Sequence, residues 1–112
     1  MRLPCEPNGC PMDALLKLLN GPWTTSVIWI LDDAGALRFG ALKRQIAGVS
    51  TRMLTVRLRL LEEEGLVTRN VGEGRILEVS YALTPRGREL CAALRSLNIV
   101  AQRWRAEDQI AA

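Results

Sequence analysis

The 112-residue chain contains no histidine, and that absence removes most ordinary reaction chemistry. Histidine is the usual general base near neutral pH, the commonest metal ligand, and a member of every Ser-His-Asp or Cys-His arrangement. Two acidic clusters remain, Asp32-Asp33 and Glu62-Glu63-Glu64. Both fall at predicted helix ends, where solvation or ion pairing is the commoner role. Gly72-Glu73-Gly74 leads into a strand pattern rather than a helix, so it is not a phosphate-binding loop. No catalytic residue, no metal site and no cofactor is expected, and the reading is that of a non-enzyme. The chemistry on offer belongs to the arginines. Between Asp33 and Glu62 lie six basic residues, Arg38, Lys43, Arg44, Arg52, Arg57 and Arg59, and no acidic one. Guanidinium groups on a regular surface suit hydrogen bonding to phosphates and to guanine edges.

The element that would present them runs from Val49 to Val67. At helical spacing Leu54, Leu58 and Leu61 share one face, while Arg52, Thr55, Val56 and Arg59 share the other. Ser50 is placed to cap the first turn, and Gly65 supplies the left-handed residue that ends it. A packed face backed by an outward face of arginines and small side chains fits the major groove of DNA. A helix whose wet arginines are merely solvated is the plainer alternative, so the flanking elements matter.

Those elements are legible in order. Residues 1–11 hold Pro4, Pro7, Gly9 and Pro11 and predict an irregular arm. Residues 12–112 predict one domain. Met12, Leu15, Leu16 and Leu19 mark a short amphipathic helix stopping at Asn20-Gly21. A second helix over about Trp23 to Asp32, apolar on most sides, is the expected core, with Trp23, Val27, Ile30 and Leu31 as its inner stripe and Ile28 and Trp29 widening it. Ala36-Leu37-Arg38 predicts a very short strand. Phe39, Leu42 and Ile46 mark a third helix with Lys43 and Arg44 on its wet side and Gly48 after it. Joined to the arginine helix by a tight turn, it makes a helix-turn-helix over residues 39–64. Leu66 to Val71 and Arg75 to Leu83 predict a hairpin, residues 66–83, turning at Gly72-Glu73-Gly74 with positive φ. A hairpin directly after a helix-turn-helix is a wing, with Arg75 near its tip. Thr84-Pro85 opens a last helix over residues 85–108. There Leu90, Leu94, Leu97, Ala101 and Trp104 are spaced four, three, four, three, as in a heptad seam.

Composition agrees with a folded domain: 48% hydrophobic and 24% charged, with a net charge of +3. The charge is uneven, −2 over residues 1–37, +4 over 38–75 and +1 over 76–112, and concentrates on the arginine-bearing middle. No apolar run approaches the roughly 18–20 residues that span a bilayer, and the first residues lack the apolar core of a signal peptide. No membrane association and a cytoplasmic location are expected. The fold class is α+β, mainly α: a winged helix-turn-helix with a two-stranded wing and N- and C-terminal dimerisation helices. The partners expected are double-stranded DNA and a second copy of the chain. Modules of this size commonly dimerise so that two recognition helices meet major grooves about 34 Å apart.

The sequence resembles the HxlR-type family of bacterial winged-helix transcriptional regulators over about residues 10–104. Cys10-Pro11, Gly21-Pro22-Trp23, Leu37-Arg38-Phe39 with Leu42, Thr55 to Val67, and Tyr81-Ala82-Leu83-Thr84-Pro85-Arg86-Gly87 carry the likeness in that order. The resemblance implies a dimeric DNA-binding regulator, held together by its first and last helices; two copies paired through the last helix are expected to act on an inverted repeat. Arg52, Thr55, Val56 and Arg59 are the candidates for base reading. Lys43, Arg44, Ser50, Thr51 and Arg57 are the candidates for phosphate contact, with Arg57 equally placed for an ion pair. The turn around Gly72-Glu73-Gly74, beside the wing candidate Arg75, departs from the longer, proline-bearing wing common in the family.

Several family members resemble redox or electrophile sensors acting through a cysteine at the position of Cys10. A sulfur at the head of a helix gains thiolate character from the helix dipole; two partners stay open for it, Cys5, near enough in sequence to resolve a sulfenic acid, and a cysteine of the other subunit. Against this, cysteines in a reducing compartment usually stay reduced. Cys91, between Leu90 and Ala92, reads as a small buried hydrophobe. Two other functions stay open at this level. One is a protein-interaction module whose basic face meets an acidic partner. The other is a regulator gated by a small apolar ligand among Trp23, Trp29 and Trp104 at the dimer seam.

Overall fold

The computed structural model describes residues 11–73 and 78–111. Its elements run α1 Pro11–Leu19, α2 Thr24–Ala34, β1 Ala36–Arg38, α3 Phe39–Gln45, α4 Thr51–Glu63, β2 Val67–Val71, β3 Val79–Leu83 and α5 Pro85–Ala111. The strands form one antiparallel sheet in the order β1-β3-β2. The expected two-stranded wing therefore carries β1 as a third strand, with Leu37 opposite Tyr81 and Arg38 opposite Ser80.

Helix α2 sits at the centre of the core, but its buried stripe is Thr24, Val27, Ile28 and Leu31. Val27 and Leu31 are as expected, whereas Thr24 and Ile28 are buried in place of Trp23 and Ile30, which are only half-buried. Trp23 does not belong to the helix: it precedes it at φ 59°, the one non-glycine residue with positive φ among those described. Gly21 and Trp23 turn the chain, the Thr24 amide donates to the Gly21 carbonyl at 3.3 Å, and the helix starts one residue later. Leu42 and Ile46 of the α3 region, Leu54, Leu58 and Leu61 of α4, and Val67 and Leu83 of the sheet close around α2.

The ends of α4 are set by local hydrogen bonds. Ser50 lies in extended conformation and its Oγ accepts from the Met53 amide at 3.1 Å, satisfying a first-turn donor that has no partner within the helix. At the other end Gly65 takes φ +76°. The Leu66 amide then reaches the Leu61 carbonyl at 2.9 Å and the Gly65 amide reaches Glu62 at 3.0 Å, the paired bonds of a Schellman stop. Leu66 is thereby aimed back into the core.

Gly72 departs from expectation. It is not among the glycines with positive φ; its amide donates to the Glu78 carbonyl at 2.7 Å, so the hairpin pairing continues past Val71 instead of turning there. The second strand, expected from Arg75, pairs from Val79 among the described residues.

Helix α5 is anchored by a small interlock. The Thr84 hydroxyl donates to the Gly65 carbonyl at 2.6 Å and accepts from the Gly87 amide at 3.0 Å, while the Thr84 amide donates to the Leu66 carbonyl at 3.0 Å. One residue thus caps α5 and ties it to the end of α4. Gly87 is buried against the Leu66 carbonyl, with no room for a β-carbon. Further along, Arg95 reaches back to α2. Its Nε and Nη2 donate to Asp32 Oδ2 at 3.1 and 2.8 Å, Nη2 also donates to Asp33 Oδ1 at 2.8 Å, and the guanidinium lies 4.9 Å from the centre of the Trp29 ring. Asp32-Asp33 is therefore ion-paired.

The Arg95 guanidinium holds the Asp32 carboxyl below its ordinary range despite the opposing effect of burial. A depressed carboxylate contributes stability above its unfolded pKa and loses it as pH falls through the folded one. Melting temperature should accordingly be lower for Asp32→Asn than for the parent at pH 7, and the two should converge below about pH 4. A gap that stays constant to pH 3 would mean that the ion pair contributes nothing.

Candidate nucleic-acid interface

Helix α4 is divided as its periodicity requires. Leu54, Leu58 and Leu61 are buried, whereas Arg52, Val56 and Arg59 are exposed. Val56 is 50% exposed. Thr55 is half-buried, and its hydroxyl donates to the Thr51 carbonyl at 2.7 Å. Its donor is engaged along the helix, which leaves the hydroxyl oxygen as an acceptor. The expected outward set omits Met53, which is 39% exposed on the flank of the same helix. Its i−3 spacing from Val56 is the signal that could have found it, masked by the habit of assigning methionine to cores.

The phosphate candidates separate into two groups. Ser50, Thr51 and Arg44 are exposed and Lys43 is half-buried, all around the turn between α3 and α4. Ser50 already accepts the Met53 amide, so its hydroxyl hydrogen is what remains for a phosphate. Arg57 is half-buried, and its guanidinium lies against Gly21, where a β-carbon would collide with it. That contact ties α4 to the turn between α1 and α2. Among the described residues no carboxylate pairs with Arg57, so the ion-pair alternative has no partner there. Cys5, Cys10 and Arg75 lie outside the described residues.

The seam positions of α5 also divide. Leu90 and Leu94 are half-buried and pack against their own core, and Cys91 between them is fully buried. Burial, reinforced by the neighbouring Asp32 carboxylate, pushes the Cys91 thiol up, the opposite of an activated thiolate. Leu97, Ala101 and Trp104 are exposed, as is every residue from Ala101 to Ile110. The distal part of a helix about 40 Å long thus stands clear of the domain, with Leu97 64% and Trp104 58% exposed. Helix α1 buries no residue and exposes Met12 and Leu16.

Trp23, Trp29, Ile30 and Ile46 line an open groove of about 640 Å³, with Asn98 of α5 on its rim. Trp104 is not part of it. Among the described residues no group of three or more cysteine, aspartate or glutamate side chains is placed to hold a metal ion. No helix among them is long and apolar enough to cross a membrane.

The HxlR-like helix-turn-helix family model matches residues 18–109, which spans α2 to α5, every candidate DNA contact and the candidate seam of α5. The chain belongs to that family. An HTH-type transcriptional regulator of Synechocystis, sll1512, is 36% identical over 103 residues, covering 90% of this chain and 76% of the relative. The reduced form of the transcriptional regulator YodB from B. subtilis superimposes with a TM-score of 0.78 at 32% identity, over 86% of this chain and 94% of that one. The redox regulator HypR in its reduced form gives 0.76 at 30% identity, over 85% and 93% of the two chains. The winged helix-turn-helix is thus shared with regulators of transcription.

Proposed function

We propose that the protein is a homodimeric transcriptional regulator whose two α4 helices enter successive major grooves of an inverted-repeat operator. The observation that carries this reading is the division of α4: its leucines are sealed in the core while Arg52, Val56 and Arg59 stand outward in a stretch without carboxylates. Arg52 and Arg59 are assigned to guanine edges, and Val56 with the Thr55 methyl to thymine methyls. Ser50, Thr51, Lys43 and Arg44 hold phosphates and fix register, as does Arg57 from its half-buried flank. Arg75 extends the contact from the wing. The exposed seam of Leu97, Ala101 and Trp104, continuous with the half-buried Leu90 and Leu94, is assigned to the dimer together with α1.

Binding is gated by oxidation or electrophile modification of Cys10, with Cys5 as the resolving thiol. Support comes from the place of Cys10 immediately before the first residue of α1 and from the likeness to a redox regulator. Cys91, buried and held protonated, takes no part.

Fluorescence anisotropy with the intergenic DNA beside the protein's own gene, against excess random duplex and with reduced and oxidised protein side by side, tests both assignments. Arg52→Ala should cost roughly 1–3 kcal/mol on the operator and relax preference at one base pair of each half-site. Unchanged preference in that variant would overturn the base-reading role of Arg52. Binding unaffected by oxidation would remove the thiol gate and leave the DNA reading in place. Weak binding without any preferred sequence would instead favour an interaction module with an acidic protein partner. The groove beside Trp23 and Trp29 favours one alternative gate, a small apolar ligand, since its size suits such a molecule.

A further inference from the structure

One cation of the acid-free stretch has a role that the assignments above leave unfilled. Arg38 is the first of its six basic residues, yet among the described residues it alone has acquired a carboxylate partner, Glu78. The sheet makes that pair. Leu37 points toward the core from β1, and strand alternation therefore turns Arg38 outward. Arg38 lies opposite Ser80 in the ladder, so Glu78, two positions earlier on the same face, is its diagonal cross-strand neighbour. Glu78 is fixed in turn by the Gly72 amide, which holds its carbonyl at 2.7 Å. Both side chains are 59% exposed.

An exposed pair of this kind adds little to stability, and each partner is open to an incoming group. Arg38 immediately precedes α3, the first helix of the DNA-binding unit, and its sheet neighbours lead to the wing. A guanidinium takes a phosphate in the same two-pronged way as a carboxylate. A carboxylate beside a duplex, by contrast, is repelled by the phosphate chain. We propose that Arg38 is a further DNA-phosphate contact at the base of the wing and that Glu78 is its intramolecular competitor, displaced when the duplex binds. The inference rests on the DNA-binding reading. Glu78 thereby weakens every complex in which Arg38 engages, specific or random, and sets a threshold that only a well-matched site clears easily.

A double-mutant cycle on the full chain tests it, with affinity for operator and random duplex measured as a function of salt. Glu78→Gln should tighten binding about two- to fivefold, the scale of an exposed ion pair. Arg38→Ala should weaken both duplexes alike and flatten the logarithmic salt slope by about one. In the Arg38→Ala background Glu78→Gln should tighten binding clearly less, because only the direct repulsion between its carboxylate and the phosphates remains to be removed. Tightening of equal size in that background would overturn the pairing and make Glu78 a general charge effect. No tightening in the parent would overturn the competitor role. If all four proteins fail to retain any duplex, the DNA-binding reading itself falls, an outcome distinct from the other two.

Discussion

Replacing Leu97 and Trp104 together by aspartate should leave a folded chain that sediments as a monomer and loses at least about a hundredfold in operator affinity. Folding is spared because both side chains are more than half exposed and outside the core. Affinity is lost because two half-sites joined in one dimer bind as an intramolecular pair, whereas a lone α4 faces each half-site from bulk solution. Two buried carboxylates at the centre of a helical seam would also carry a desolvation cost that no neighbour offsets. Equilibrium sedimentation and anisotropy on the same samples check the two halves of the expectation. A variant that stays dimeric would show that the seam lies elsewhere, with α1 as the next candidate through Met12 and Leu16. A monomer that keeps parental affinity would end the inverted-repeat assignment.

Gly87→Ala should cost about 3 kcal/mol or more in stability, at or above the upper end of overpacking in a close-packed site, and lower the melting temperature by roughly 10 °C. The added methyl would overlap the Leu66 carbonyl oxygen and crowd the Leu83 side chain. A carbonyl held by the Thr84 amide cannot step aside without breaking the bond that docks α5 on the end of α4. The same substitution at Gly40 of α3, where a β-carbon would make ordinary contact with the Arg44 side chain, serves as the control and should be neutral or mildly stabilising. Equal melting temperatures for Gly87→Ala and the parent would show that the two segments can separate freely. The effect ties a stretch of likeness, Leu83-Thr84-Pro85-Arg86-Gly87, to a physical cause: each of Thr84 and Gly87 is required by the backbone it touches.

Thiol gating and DNA reading would use different parts of the chain, the residue before α1 and the outer face of α4. Helix α4 carries its argument in its own burial pattern. The Cys10 assignment draws on sequence position and on the likeness to redox regulators, and the buried state of Cys91 sharpens it by removing a competing thiol. A thiol so enclosed and so raised in pKa reacts slowly.

What could be read from residue order was what local interactions decide. Ser50 and Thr84 cap their helices, Gly65 ends α4, and the leucines of α4 fall on one side, because each of these involves partners three or four positions apart. The helix-turn-helix followed by a hairpin, and with it the candidate base-reading face, follow from that level alone. The tertiary structure decided what depends on distant segments meeting. Asp32 and Asp33 find Arg95 more than sixty positions away. Glu78 is delivered to Arg38 by sheet register, and Gly21 is covered by Arg57. The start of α2 moved because a tryptophan adopted a left-handed turn that local preference disfavours, a cost met by packing its half-buried ring against the core. Helix α5 shows both levels at once. Its four-three spacing marks a continuous apolar seam, but only the folded domain determines where that seam leaves its own core, after Leu94, and becomes exposed, because burial depends on where the other helices end.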